Sequence, residues 1–248
     1  TLAAGAITDN NAGANNLTAS TAVLTAPAGI NLDTTLGTLT ATVTNGDLTI
    51  REANALVLNG VTVSGTATIA LQAAGSLTGA GLTPNLTAST AVLSTTGASD
   101  ITLSTTLGTL TATTAGTLTI TETDSLILNN VNATTAAVIT LNAGSLTGAA
   151  GTDLTTATAT LTAPSGIDLD TTVGTLVATV TNGNLTIRET NGLALGTVTV
   201  SGAATISLGA AGNLTGGTLT AASAVLTTTG SITLATALDT LTSSSADL

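Results

Sequence analysis

The chain has 248 residues, with 13 carboxylates against two arginines, Arg51 and Arg188; its formal charge is −11, and it contains no Phe, Trp, Tyr, Met, Cys or His. That balance excludes an electrostatic nucleic-acid binder and a partner of anionic membrane surfaces, since neither phosphates nor lipid headgroups find cations to contact. Thr, Asn or Gly interrupts every apolar run before the roughly 20 residues that a membrane helix needs, so no membrane insertion is expected.

Thr makes up about a quarter of the chain, and the apolar remainder is almost wholly Leu, Ile, Val and Ala. A layered core normally uses large, irregular side chains to fill gaps between elements meeting at odd angles. A purely aliphatic core suits a regular interior in which each residue stacks on its own equivalents. In chain order, the opening Leu2-Ala3-Ala4-Gly5-Ala6-Ile7-Thr8 resembles the tail of a later unit, Leu71-Gln72-Ala73-Ala74-Gly75-Ser76-Leu77-Thr78. From Leu17 a long motif begins that recurs from Leu86, from Leu154 and, cut short, from Leu219, with a period of about 68 residues. Self-similarity of this kind marks a repeat architecture.

Within each long repeat runs a shorter one, an aliphatic-x-aliphatic pair. The pairs are Ile30/Leu32, Leu48/Ile50, Ile69/Leu71, Ile101/Leu103, Leu118/Ile120, Ile139/Leu141, Ile167/Leu169, Leu185/Ile187, Ile206/Leu208 and Ile232/Leu234. Spacings of 17 to 21 residues widen to 26–32 around the segments that begin at Leu86, Leu154 and Leu219, where either one long coil or two short ones would fit. Period-two alternation rich in Thr, Val and Ile predicts strands throughout, and Gly and Asn, as at Asn45-Gly46 and Asn182-Gly183, predict the turns. Coils of about 18 residues stacked at the interstrand spacing predict an all-β chain, a parallel β-helix (β-solenoid) of about 13 coils forming one repetitive segment over residues 1–248. The strong preference of parallel connections predicts the right-handed form. An antiparallel sandwich is the rival fold.

Aligning coils by their aliphatic pairs sets Asp33 beside Arg51 and Asp170 beside Arg188, while the middle repeat has Ser104 and Thr121 there. Acid and base are lost together, which predicts a ladder contact between neighbouring coils. As an exposed pair it contributes at most about 1 kcal/mol and serves to mark register. The outward face is expected to be rows of Thr, as in Thr38, Thr40, Thr42 and Thr44 or Thr117, Thr119 and Thr121, broken by Asp33, Arg51, Glu52, Gln72 and Glu189.

Chemistry is scarce. Without His, Cys or Lys there is no Ser-His or Cys-His nucleophile system and no Schiff-base amine, and zinc and haem lack their usual ligands. Asp168 and Asp170 share a strand face at roughly 6.5–7 Å, near the separation used by inverting glycosidases. Their equivalents, however, are Asn31 with Asp33 and Thr102 with Ser104, and no aromatic exists to stack on a sugar. No calcium-binding nonapeptide is present. The expectation is a non-enzyme with no cofactor. Asn-x-Thr sequons at Asn16, Asn85, Asn132, Asn184 and Asn213 are no more frequent than chance in so Thr-rich a chain.

The strands Gly183-Asn184-Leu185-Thr186-Ile187, Gly230-Ser231-Ile232-Thr233-Leu234 and Gly108-Thr109-Leu110-Thr111-Ala112 resemble the interior repeats of filamentous-haemagglutinin-like exoproteins and related autotransporter adhesins. The resemblance runs along nearly the whole chain, although nothing matches the secretion domain that opens such exoproteins. It implies secretion by a bacterium, an extracellular, cell-surface location and a structural shaft that forms or extends a filament. Both ends cut a long repeat and neither carries a cap, so the expected partner is the chain itself, head-to-tail, or more of the same chain. Two alternatives from other classes are an ice-binding β-solenoid using the Thr rows and a β-helix that binds or cleaves carbohydrate.

Overall fold

The computed structural model describes residues 1–11, 13–81 and 83–245. Contacts cluster into two units, Thr1–Thr123 and Asp124–Leu248. Each is a stack of solenoid turns with every described strand pairing parallel, and together they carry about 13 turns. Among the described residues there is no helix long and apolar enough to cross a membrane.

The first unit holds β1 (Leu2–Ala3), β2 (Ile7–Thr8), β3 (Leu17–Ala26), β4 (Ile30–Val43), β5 (Leu48–Glu52), β6 (Leu56–Val63), β7 (Thr68–Ala73), β8 (Leu77–Gly79), β9 (Leu86–Thr95), β10 (Ile101–Thr114) and β11 (Thr117–Glu122). The second holds β12 (Leu126–Leu141), β13 (Leu146–Gly148), β14 (Leu154–Ala163), β15 (Ile167–Val180), β16 (Leu185–Glu189), β17 (Leu193–Val200), β18 (Thr205–Ala210), β19 (Leu214–Thr228) and β20 (Ile232–Ser244). Alternation drives the fold. In β4 and β15, which occupy the same place in the first and third repeats, buried and outward residues alternate, and the buried parity switches once, past Gly37 and Gly174. Every aliphatic pair named above is buried except Ile232/Leu234 in β20, which is half-exposed. At roughly 1.5–3 kcal/mol for each fully buried Leu or Ile, this interior supplies the main favourable contribution to folding.

Register shows how the pairs stack, and it resolves the wide spacing differently from either expectation. In the first unit one interior column runs Ile7, Ile30, Leu48, Ile69, Ala91, Leu110. A second runs Leu56, Leu77, Ile101, Leu118, and a third Ala41, Val61, Leu86, Thr105, Glu122. Ile69 is therefore covered by Ala91, and Ile101 stands on Leu77. The segment is neither one long coil nor two short ones, because Ile69/Leu71 and Ile101/Leu103 belong to different walls. The same change of wall occurs in the second unit. There Ile167 lies in the column Leu126, Leu146, Ile167, Leu185, Ile206, Ala224, Leu241, whereas its repeat equivalent Ile232 covers Leu193 and Leu214. The long repeat is out of step with the turn of the solenoid.

Close stacking requires glycine at one repeated position. A Cβ on Gly37, Gly108 or Gly174 would lie 2.7, 2.8 or 2.8 Å from the carbonyl oxygen of Ser20, Ser89 or Ala157 in the neighbouring coil. Only a residue without a side chain permits that approach.

Candidate functional site: charged ladders, interior carboxylates and threonine files

Parallel pairing brings Asp33 opposite Arg51 and Asp170 opposite Arg188, with Ser104 opposite Thr121 in the middle repeat. Arg51 donates through Nε to Asp33 Oδ1 and through a terminal nitrogen to Asn31 Oδ1 at 2.9 Å, and that same nitrogen stands 3.6 Å from Asp9 Oδ2. Arg188 donates through Nε to Asp170 Oδ1 and pairs with Asp168 Oδ1 at 2.7 Å. Both guanidiniums thus reach two positions of the adjacent coil in a fork that a lysine would not reproduce. Asp168, together with Asp170, holds Arg188 more firmly protonated than an ordinary arginine. Asp9 titrates below the usual aspartate range, first because the Asn11 backbone N–H and then because the Asn16 amide donates to it. Asp168 and Asp170, the pair whose sequence spacing pointed to a glycosidase-like arrangement, are bound to a single guanidinium.

The expectation that Glu52 and Glu189 break the outward face is overturned. Glu52, Glu122 and Glu189 point inward and are 4%, 0% and 5% exposed. Each closes the same corner. Thr34 Oγ1 donates to Glu52 at 2.7 Å, Leu36 N–H at 2.9 Å and Asn54 N–H at 3.3 Å. Thr105 Oγ1 donates to Glu122 at 2.7 Å, Leu107 N–H at 3.1 Å and Thr123 N–H at 2.8 Å. Thr171 Oγ1 donates to Glu189 at 2.8 Å, Val173 N–H at 2.9 Å and Asn191 N–H at 3.3 Å. At these corners the aliphatic interior would leave backbone N–H groups without acceptors, and a carboxylate reaching back from the next coil supplies them. Burial pushes the Glu189 carboxyl above its ordinary range, against the hydrogen bonds that favour its charged form. The signal was in the parity: Glu52 follows Ile50 by two residues, so alternation alone turns it inward.

A second recurrent clamp uses one Asx residue per repeat. Asn16, Asn85 and Asp153 each donate their backbone N–H to the carbonyl of Asp33, Ser104 or Asp170, at 2.7, 2.7 and 2.8 Å. Each also accepts that residue's N–H on a side-chain oxygen, at 2.7, 2.9 and 2.7 Å. Two of the sequon asparagines are therefore coil-to-coil fasteners.

The sequence matches no protein-family model, no curated protein and no solved structure. The likeness that remains is one of architecture: the chain is a repetitive β-solenoid.

Outward threonines form files. Thr25, Thr42, Thr62, Thr87 and Thr106 stack in the first unit, and Thr140, Thr162, Thr179, Thr199 and Thr220 in the second. A second threonine stands beside a file at some coils only: Thr40 in the first unit, and Thr160, Thr197 and Thr218 in the second. The neighbouring outward column carries Val23 beside Thr40, or Val138, Thr160 and Val177, and then meets a register shift at Leu39/Ala41 or Leu176/Ala178. Among the described residues no cluster of three His, Cys, Asp or Glu side chains is placed to hold a metal ion.

Proposed function

We propose that the chain is a non-catalytic shaft of a secreted bacterial surface fibre or adhesin, located at the cell surface, whose partner is more of the same solenoid, head-to-tail or in one longer chain. The observation that carries this reading is where the polar side chains are used. The interior Glu–Thr corner recurs once per long repeat in three copies, and it binds one coil to the next. Both arginines do likewise from outside. A chain that invests its chemistry in coil-to-coil bonds, and repeats those bonds with its own period, suits a load-bearing element that extends by addition of like units. Immunogold electron microscopy of the producing cells, with antibody raised to this chain, tests the proposal. Label along surface filaments is the expected result, and label confined to the cytosol or to free monomer in the medium defeats it.

The five-membered threonine files favour one other reading, an ice-binding surface. Against it, the column beside each file is irregular, with Val23, Val138 and Val177 interrupting its threonines. Thermal hysteresis of the purified chain separates the two readings, and a freezing gap that disappears when Thr42 and Thr62 are changed to Val-Lys combinations would favour ice binding.

A further inference from the structure

Of the side-chain polar atoms buried in the described residues, only Asp153 Oδ1 has no hydrogen-bond partner. Asp153 is 2% exposed. Its Oδ2 accepts the Asp170 N–H, and Gly148 is so close that a Cβ there would overlap the carboxylate. The repeat supplies its own control. At the equivalent position Asn85 makes the same bond to the next coil, lies against Gly79 in the same way, and uses its remaining atom, Nδ2, to donate to the Ala80 carbonyl at 2.7 Å. Asn16 likewise donates its Nδ2, to Asp9 Oδ1 at 2.9 Å. In two copies the inner end of this side chain is a donor. In the third it is an oxygen that carries a hydrogen only when the carboxyl is protonated.

We infer that Asp153 is a proton-binding site: uptake of one proton turns its orphaned oxygen into the donor that Asn16 and Asn85 have permanently, and so fastens the 149–152 loop between β13 and β14. The surroundings agree. Burial is the main influence raising the Asp153 carboxyl above the ordinary aspartate range, and the neighbouring Asp170 charge adds to it, while the Asp170 N–H, the nearby Ala149 N–H, whose hydrogen-bond acceptor is the Leu128 carbonyl, and Arg188 oppose. The ionisable groups on the elements packed against it are Asp168 and Asp170 of β15 and Arg188 and Glu189 of β16; β12 and β13 carry none. Since the folded-state value lies above the unfolded one, the site favours the fold fully below about pH 3.9 and ceases to do so as pH rises through the folded-state value.

The test uses the full 248-residue chain and the variant Asp153→Asn, which places the Asn85 arrangement in the second unit. Thermal midpoints of both proteins are compared at pH 4 and pH 8, and amide exchange of residues 149–153 is compared at pH 7.5. The variant should melt higher than wild type at pH 8, the difference should shrink toward zero at pH 4, and amide protection in the loop should rise roughly tenfold, the scale expected when one buried polar atom gains a partner. A difference of equal size at both pH values, or a variant less stable at pH 8, overturns the inference. Should the variant fail to fold, the wild-type carbon-13 signal of the Asp153 carboxyl decides the matter alone. A midpoint above about 3.9 supports the site, and one at or below it removes the site.

Discussion

Arg188 and Glu189 are adjacent on β16 and point to opposite sides, so they give a paired test of where the holding energy lies. Glu189→Ala strips the acceptor from the Thr171 hydroxyl and the Val173 N–H, in a corner where Thr171 and Val173 are 0% and 1% exposed. At about 1–3 kcal/mol for each buried donor left unpaired, the cost is about 2–6 kcal/mol, toward the low end if the threonine rotates to another acceptor. Arg188→Ala removes two ion pairs from a side chain that is 52% exposed, where screening by water limits the loss to about 0–1 kcal/mol. The chain has no Trp or Tyr, so urea unfolding is followed by far-ultraviolet circular dichroism rather than by intrinsic fluorescence. The midpoint of Glu189→Ala should fall well below that of Arg188→Ala. Equal midpoints, or a larger loss in the arginine variant, would refute the reasoning that the interior carboxylate holds the corner.

Other expectations follow from the same geometry. Gly174→Ala brings a Cβ to 2.8 Å from the Ala157 carbonyl oxygen and should cost about 1–3 kcal/mol in urea unfolding, whereas Gly5→Ala, with nothing within 4 Å, should stay within about 0.5 kcal/mol. Burial raises the Glu189 carboxyl, so its protonation favours the fold below the ordinary value of about 4.3, and that benefit is lost as pH rises through the folded-state value. A Glu189→Gln variant should therefore show a flatter dependence of urea midpoint on pH over that window than wild type does. Raising salt from about 0.05 to about 1 M should lower the wild-type unfolding free energy by no more than about 1 kcal/mol beyond the change it causes in an Arg51→Ala, Arg188→Ala double variant, the amount expected of exposed pairs. A larger salt effect confined to wild type would show the ladders to be major supports.

The parallel solenoid and the Asp–Arg register were legible because both rest on one local rule, the alternation that puts aliphatic pairs inside and aligns what lies between them. Reading charge as a reason to face water misplaced Glu52 and Glu189 and left Glu122 unnoticed, although their parity with Ile50, Ile187 and Ile120 points them inward. Here backbone demand for acceptors outweighs the cost of burying a carboxylate. The rung Ala91/Leu93 escaped notice for a different reason: alanine at an interior position does not stand out from the Ala-rich surface segments around it. Asp153 was invisible in the sequence, since its meaning depends on an oxygen's lack of a partner and on the copies at Asn16 and Asn85, which read as sequons.

Because the long repeat changes wall from one copy to the next within each unit, equivalent residues do not keep equivalent neighbours. Ile30 is stacked between Ile7 and Leu48, Ile101 between Leu77 and Leu118. A side chain that needs one matched recess, such as a phenyl or indole ring, would find that recess in one copy and meet a different surface in the next. Aliphatic residues of similar volume are exchangeable among the walls at little cost. The aromatic-free composition is thus the vocabulary left to a sequence whose every phrase must be readable against more than one partner, and it allows whole repeats to be duplicated without rewriting the interior.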